Sequence, residues 1–137
     1  MIIADTGFWL ALANSKDRQH DKAREALELY QEPLITTWPV MTETCHLLLN
    51  RLGVMAELAF LKSYERGAFN IFPLQEEHTD RLIRLMTRYA DLPMDLADAS
   101  LVILAEEYGD GRILSTDERD FKTYRWKNRK PFENLMG

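Results

Sequence analysis

Four carboxylates, Asp5, Glu43, Asp98 and Asp117, carry the chemistry that this sequence offers. Asp5 directly follows the apolar run Ile2-Ile3-Ala4, and Asp117 follows Ile113-Leu114-Ser115-Thr116, so each stands just past the end of a predicted strand. Glu43 lies in the first turns of a helix opened by Pro39. Asp98 falls three residues after Asp95, a natural N-cap, and it precedes Leu101 and Val102 by three and four positions. It therefore points along an apolar face, where an unpaired carboxylate is costly and needs a cation or donors. Strand ends and helix starts share one edge of a parallel sheet, so the four acids gather there. They repel one another unless a cation joins them, and an all-oxygen set suits Mg²⁺ or Mn²⁺. His20, His46 and His78 lie on three separate segments, which argues against zinc. A hard divalent ion among carboxylates suits metal-assisted hydrolysis of a phosphodiester. Each acid also has a purely structural role open to it. Asp5 or Thr6 could cap a helix starting at Gly7, Asp117 the turn through Glu118-Arg119-Asp120, and Asp95 its own helix, while Glu43 could be a solvated residue favouring the helix dipole.

The elements that must position these residues are legible as an alternation of periods. Short apolar runs at Met1–Ala4, Leu34–Thr37, Phe69–Phe72 and Arg112–Ser115 read as buried or half-buried strands. Between them the period becomes helical: Ala23, Ala26, Leu27 and Tyr30; Leu82, Leu85, Met86 and Tyr89; Leu101, Leu104, Ala105 and Tyr108, ended by Gly109. Met41, Cys45, Leu48, Leu49 and Leu52 form a further stripe that Gly53 stops, and residues 54–66 begin another helix. Strands alternating with helices imply crossover connections and an α/β fold, a mainly parallel sheet with helices on both faces.

Length and composition set the outer bounds. A chain of 137 residues, 46% of them hydrophobic, is expected to form a single domain over 1–137. Seventeen Lys and Arg against 22 Asp and Glu give a net charge of −5, which excludes a uniformly basic nucleic-acid-binding coat but not a local patch. The lone Cys45 cannot form an internal disulfide, no apolar run approaches a membrane span, and a cytoplasmic location is expected. A basic patch occurs near the C-terminus, where Arg119, Lys122, Arg125, Lys127, Arg129 and Lys130 interleave with Phe121, Tyr124 and Trp126. That pattern fits phosphate contacts and base stacking, and equally a final edge strand whose aromatics pack inward. Trp126 is expected as core in such a strand, with Arg125, Lys127, Arg129 and Lys130 as contacts to nucleic-acid phosphates. Phe8, Trp9 and Trp38 are expected in the core or a dimer interface rather than on a base-contact surface.

Five blocks together resemble the PIN-domain nucleases, and within them the toxins of VapC type: I-I-A-D-T-G (2–7), D-R-Q-H (17–20), T-T-W-P-V-M-T-E-T-C-H-L-L (36–48), D-L-A-D-A-S-L-V (95–102) and I-L-S-T-D-E-R-D-F (113–121). They stand in the family's order and cover most of the chain. The resemblance implies a three-layer α/β/α sandwich and an acidic, Mg²⁺- or Mn²⁺-dependent ribonuclease site. It places the family's four acids on Asp5, Glu43, Asp98 and Asp117, with Asp5, Asp98 and Asp117 as principal metal ligands. Thr6 and Thr116 match the small hydroxyl positions, and Asp120 could supplement or replace Asp117. It further implies products with a 5′-phosphate and a 3′-hydroxyl, a homodimer, and a small antitoxin partner. His20 and His46 match common family positions outside the catalytic set. Alternatives are a housekeeping RNA-processing nuclease without an antitoxin, and a non-catalytic PIN-like module that only binds RNA or protein. Phosphotransfer folds fit less well: the dehalogenase type needs a second Asp where Gly7 stands, and a receiver domain needs acids clustered at the first strand.

Overall fold

The computed structural model describes residues 1–137. The chain opens with β1 (Ile2–Ala4), α1 (Thr6–Ala13), α2 (His20–Tyr30), β2 (Leu34–Thr37), α3 (Trp38–Leu52), α4 (Val54–Glu65) and β3 (Asn70–Phe72). A 3-10 turn at Glu76–His78 then leads into α5 (Thr79–Arg88), α6 (Leu96–Tyr108) and β4 (Arg112–Leu114). The chain ends with a short α7 (Asp120–Thr123), β5 (Arg125–Trp126), β6 (Lys130–Pro131) and β7 (Glu133–Asn134).

Five strands form one sheet in the order β3-β2-β1-β4-β7, and every pairing in it is parallel. Ile3 is the central register point, opposite Ile35 on one side and Ile113 on the other. All residues of β1 and β2 are buried, as continuous apolar runs in a parallel sheet covered on both faces should be. Right-handed crossovers put the helices between β1 and β3 on one face and α5–α6 on the other, giving the expected layered α/β arrangement. The strand order reverses between β1 and β4. A crevice opens at such a switch point, beyond the carboxyl ends of the strands, and Asp5 and Asp117 leave the sheet there.

Helix α6 is buried nearly all round: Ala97 and every residue from Ala99 to Ala105 are buried. It packs on β1 and β2 and is flanked by α3 and α5. Buried hydroxyls tie the elements together beneath the switch point. Thr37 and Ser100 share a hydrogen bond of 2.6 Å between β2 and α6, and Thr44 on α3 donates to Thr6 on α1 at 3.3 Å. Trp9, Phe60 and Phe69 stack together and join α1, α4 and the residue before β3. No helix is long and apolar enough to cross a membrane.

One expectation needs correction. Trp126 does not lie on a final edge strand of the sheet. It sits in a separate antiparallel hairpin of β5 and β6, which turns through Lys127 and Asn128 at φ values of 50° and 62°. That left-handed turn folds the hairpin back, and the sheet edge is taken instead by β7 alongside β4. Trp126 is nevertheless buried; its indole covers Gly111 and donates from Nε1 to the Pro131 carbonyl at 3.1 Å. Phe8 and Trp9 are core, whereas Trp38, at the first position of α3, is 52% exposed and meets Tyr64 edge-on, so of the core and the dimer interface expected for it only the interface remains.

Candidate active site

Asp5 ends β1 and caps α1. Its carboxylate accepts from the Thr6 backbone N–H at 2.7 Å and from Ser115 Oγ at 2.9 Å. At 8% exposure it is strongly desolvated, and burial pushes its pKa up to about 6 against the lowering effect of those two donors. The capping role and the place at the switch point are thus held by one side chain. Gly7 follows for a steric reason: a Cβ there would fall inside Thr116 Oγ1, so the first turn of α1 lies directly on the loop after β4.

Ser115 is the hinge of that loop. Its hydroxyl donates to Asp5 and accepts from the Asp117 N–H at 3.0 Å, linking the two acids through one atom. Asp117 Oδ1 accepts from the N–H groups of Arg119 and Asp120 at 3.1 and 3.0 Å. It therefore caps the turn into α7 while facing the crevice, and burial, followed by the neighbouring Asp120, raises its pKa. Asp120 receives the Arg119 guanidinium at 3.0 Å.

Asp98 stands at N3 of α6. Its N–H donates to Asp95 Oδ1 at 2.8 Å, and its own Oδ2 makes a long reciprocal contact of 3.5 Å with the Asp95 N–H. Oδ2 also accepts from the Tyr124 hydroxyl at 3.1 Å. Burial, then the negative charges of Asp95 and Asp5, raise the Asp98 pKa to about 8. Glu43, one and a half turns into α3, is half-buried, and its pKa is raised by burial and by Asp95.

The four acids singled out in the sequence, together with Asp95 and Asp120, line one open cavity of about 400 Å³. Thr6 and Thr116 line it too, and Arg119 is its one cationic residue. Such crowding of desolvated carboxylates is unfavourable in isolation and is relieved by a bound cation. With neither His nor Cys on the wall, the donor set is all oxygen and fits Mg²⁺ or Mn²⁺. As the side chains stand, no three acids close around a single point, so the cavity offers donors rather than a finished cage.

The basic residues lie elsewhere. Arg125, Lys127, Arg129 and Lys130 are all absent from the cavity wall. Arg125 donates from Nη1 to the carbonyls of Lys122, Thr123 and Tyr124 and so ties off the end of α7. The ammonium groups of Lys127 and Lys130 lie over the Trp126 ring at 5.8 and 4.9 Å, and Arg129 is exposed. His20 donates from Nδ1 to the Ala11 carbonyl at 2.7 Å, and His46 Nε2 accepts from Asn50 at 3.1 Å; neither lines the acid cavity, although His46 shares an adjoining cavity with Glu43 and Asp95.

Three residues of the cavity's construction escape the sequence reading. Asp95 reads there as a cap alone, yet it is also a third negative charge beside Asp98 and Glu43. Ser115 has a local signal, a hydroxyl two residues before the N–H it receives. Tyr124 has none, because its contact spans 26 residues of chain.

A doubly wound parallel sheet with a carboxylate cavity at its switch point defines an α/β domain built to gather acids from four separate segments. The family model "PIN domain" matches residues 2–127, and the chain belongs to this family. It is 31% identical over 124 residues to "Ribonuclease VapC26" of Mycobacterium tuberculosis, covering 90% of this chain and 92% of that protein. Its fold is similar to the crystal structure of Mycobacterium tuberculosis VapC20, described as a "Sarcin-Ricin loop cleaving toxin". The TM-score is 0.80 at 21% identity, covering 87% of this chain and 92% of the other.

Proposed function

We propose that this protein is a divalent-metal-dependent endoribonuclease, the toxin of a toxin–antitoxin pair, with residues 1–137 forming one nuclease domain. The observation that carries this reading is the single cavity walled by Asp5, Glu43, Asp98, Asp117 and Asp120, with two pKa values displaced to about 6 and 8. The ribonuclease relative supplies the substrate class.

Asp5, Asp98 and Asp117 would hold Mg²⁺ or Mn²⁺, with Asp120 beside Asp117. When bound, the ion supplies a Lewis acid that lowers the pKa of water and neutralises charge developing on the phosphate. Glu43 receives no hydrogen bond from the protein and lines the same cavity as Asp5, so it would orient the attacking water and take its proton. Arg119, three-quarters exposed at the rim, meets the phosphate as it enters a cavity that would otherwise repel it. Thr6 accepts from Thr44 and ties α1 to α3, while Thr116 lies against Gly7 and seats the loop after β4 on the first turn of α1. In-line hydrolysis leaves a 5′-phosphate and a 3′-hydroxyl. Leu49, Leu52, Val54, Met55, Leu58 and Leu61 form an exposed apolar surface on α3 and α4, which supports a homodimer as the assembled form.

Cleavage of a structured RNA in Mn²⁺, in Mg²⁺ and in chelator tests this reading, with Mn²⁺ binding followed by calorimetry. Asp98→Asn is expected to lower cleavage by about 10²–10³-fold, the scale of losing one group that stabilises transition-state charge, and to weaken Mn²⁺ binding with it. Full cleavage in chelator, or by Asp98→Asn, overturns it.

A further inference from the structure

We propose that Tyr124 is a positioning residue of the metal site, holding the Asp98 carboxylate from behind so that one of its oxygens is committed to the protein and the other is left to the cavity. The inference rests on the proposed metal-dependent reading of the acids and extends it to a residue outside the cavity wall. Tyr124 is wholly buried, and its ring makes edge contacts with Phe121 at 5.2 Å and Tyr89 at 5.1 Å. The Tyr89 hydroxyl in turn accepts from the Arg125 N–H at 3.1 Å, fixing the backbone just beyond the ring. From this socket the Tyr124 hydroxyl donates to Asp98 Oδ2 at 3.1 Å. The Asp95 N–H also reaches Oδ2, at 3.5 Å, whereas Oδ1 accepts no hydrogen bond from the protein. A carboxylate free to spin would present either oxygen or both. This one is held at Oδ2, so it offers Oδ1 alone.

The geometry gives the C-terminal segment a task that its charge pattern does not suggest. Residues 117–124 wrap the cavity, contributing Asp117 and Asp120 directly and, through Tyr124, orienting an acid on α6. Partners of this kind orient metal-binding carboxylates, and their loss typically weakens metal affinity by about 10–100-fold.

Tyr124→Phe keeps the buried ring and deletes the hydroxyl. Mn²⁺ binding is measured by calorimetry on the wild type, Tyr124→Phe, Asp98→Asn and the double variant. In parallel, the Mn²⁺-induced rise in melting temperature is recorded, which reports on a destabilised but folded variant as well. Expected are a Mn²⁺ affinity about 10–100-fold weaker in Tyr124→Phe, a lowered kcat for RNA that added Mn²⁺ restores, and an unchanged KM for RNA. No further loss is expected when the substitution is added to Asp98→Asn. Wild-type Mn²⁺ affinity in Tyr124→Phe, even with a lowered melting temperature, overturns the inference and leaves the hydroxyl a packing detail. A wild-type protein that binds no Mn²⁺ would instead remove the metal-dependent reading on which it rests.

Discussion

At the scale of single residues, the acids set a conflict between folding and function that pH exposes. Asp98 titrates near 8 and Asp5 near 6 in the folded chain, both above the value near 4 of an unfolded aspartate. The native state therefore binds more protons than the unfolded state between these limits. The stability tied to this difference is present below about pH 4 and is lost as pH rises through 6 for Asp5 and 8 for Asp98. In chelator, the melting temperature is thus expected to fall between pH 5 and pH 8. Asp98→Asn should flatten that fall and melt higher at pH 8, by about 3 °C for about 1 kcal/mol in a chain of this length. Scanning calorimetry at the two pH values checks both, and a lower melting temperature for the variant at pH 8 would mean that Asp98 serves chiefly as a helix cap. The same protons oppose metal binding. Mn²⁺ affinity is expected to rise from pH 6 to pH 8 with release of protons, measurable as a buffer-dependent heat.

At the scale of elements, the site depends on how closely α1 approaches the loop after β4. Gly7→Ala would drive its Cβ into Thr116 Oγ1, so α1 or the loop must shift and carry Asp5 or Asp117 with it. Overpacking of this kind costs about 1–3 kcal/mol, and urea denaturation is expected to show it. Adding Thr116→Ala removes the obstructing oxygen and should return most of the stability. If the double variant is no more stable than Gly7→Ala, the contact is not the reason for the glycine. Four of the five sheet strands and the long helices are legible in the sequence because each is a local pattern: Ile2-Ile3-Ala4 ended by Asp5, Leu34–Thr37 ended by Trp38-Pro39, and the stripe on α3 stopped by Gly53 at φ 99°, whereas the two-residue edge strand β7 has no such pattern. The convergence of Asp5, Glu43, Asp98 and Asp117 is legible for the same reason, since parallel topology alone brings strand ends and helix starts together. The hairpin is not, because β5 and β6 have two residues each and owe their place to Trp126 covering Gly111. Nor is the Tyr124–Asp98 contact, which depends on where α7 sets the chain down against α6.

At the scale of the whole molecule, charge is divided between two places. The cavity concentrates acids at the N-terminal end of α6, whereas the basic hairpin is anchored toward the other end, where the Lys127 N–H donates to Glu106 at 2.6 Å. Glu106 is eight residues beyond Asp98, about 12 Å along the helix axis. RNA seated at the acids would have to extend over about that distance along the surface to reach the hairpin, and the four basic residues should then differ in what they contribute. Lys127 and Arg129 are exposed and free to meet phosphate, and Lys130 lies half-buried over Trp126. Arg125 has its Nη1 committed to three carbonyls. Replacing Lys127, Arg129 and Lys130 by Gln is expected to weaken RNA binding and make the log–log salt dependence shallower by about 0.7 per lost single-strand contact, with little effect on folding. Arg125→Gln should instead lower stability and leave the salt slope nearly unchanged. Binding titrations across a range of salt concentrations, in chelator to prevent cleavage, separate the two. Equal slopes for the wild type and the triple variant would show that RNA approaches by another face, with Arg119 at the cavity rim as its first cationic contact.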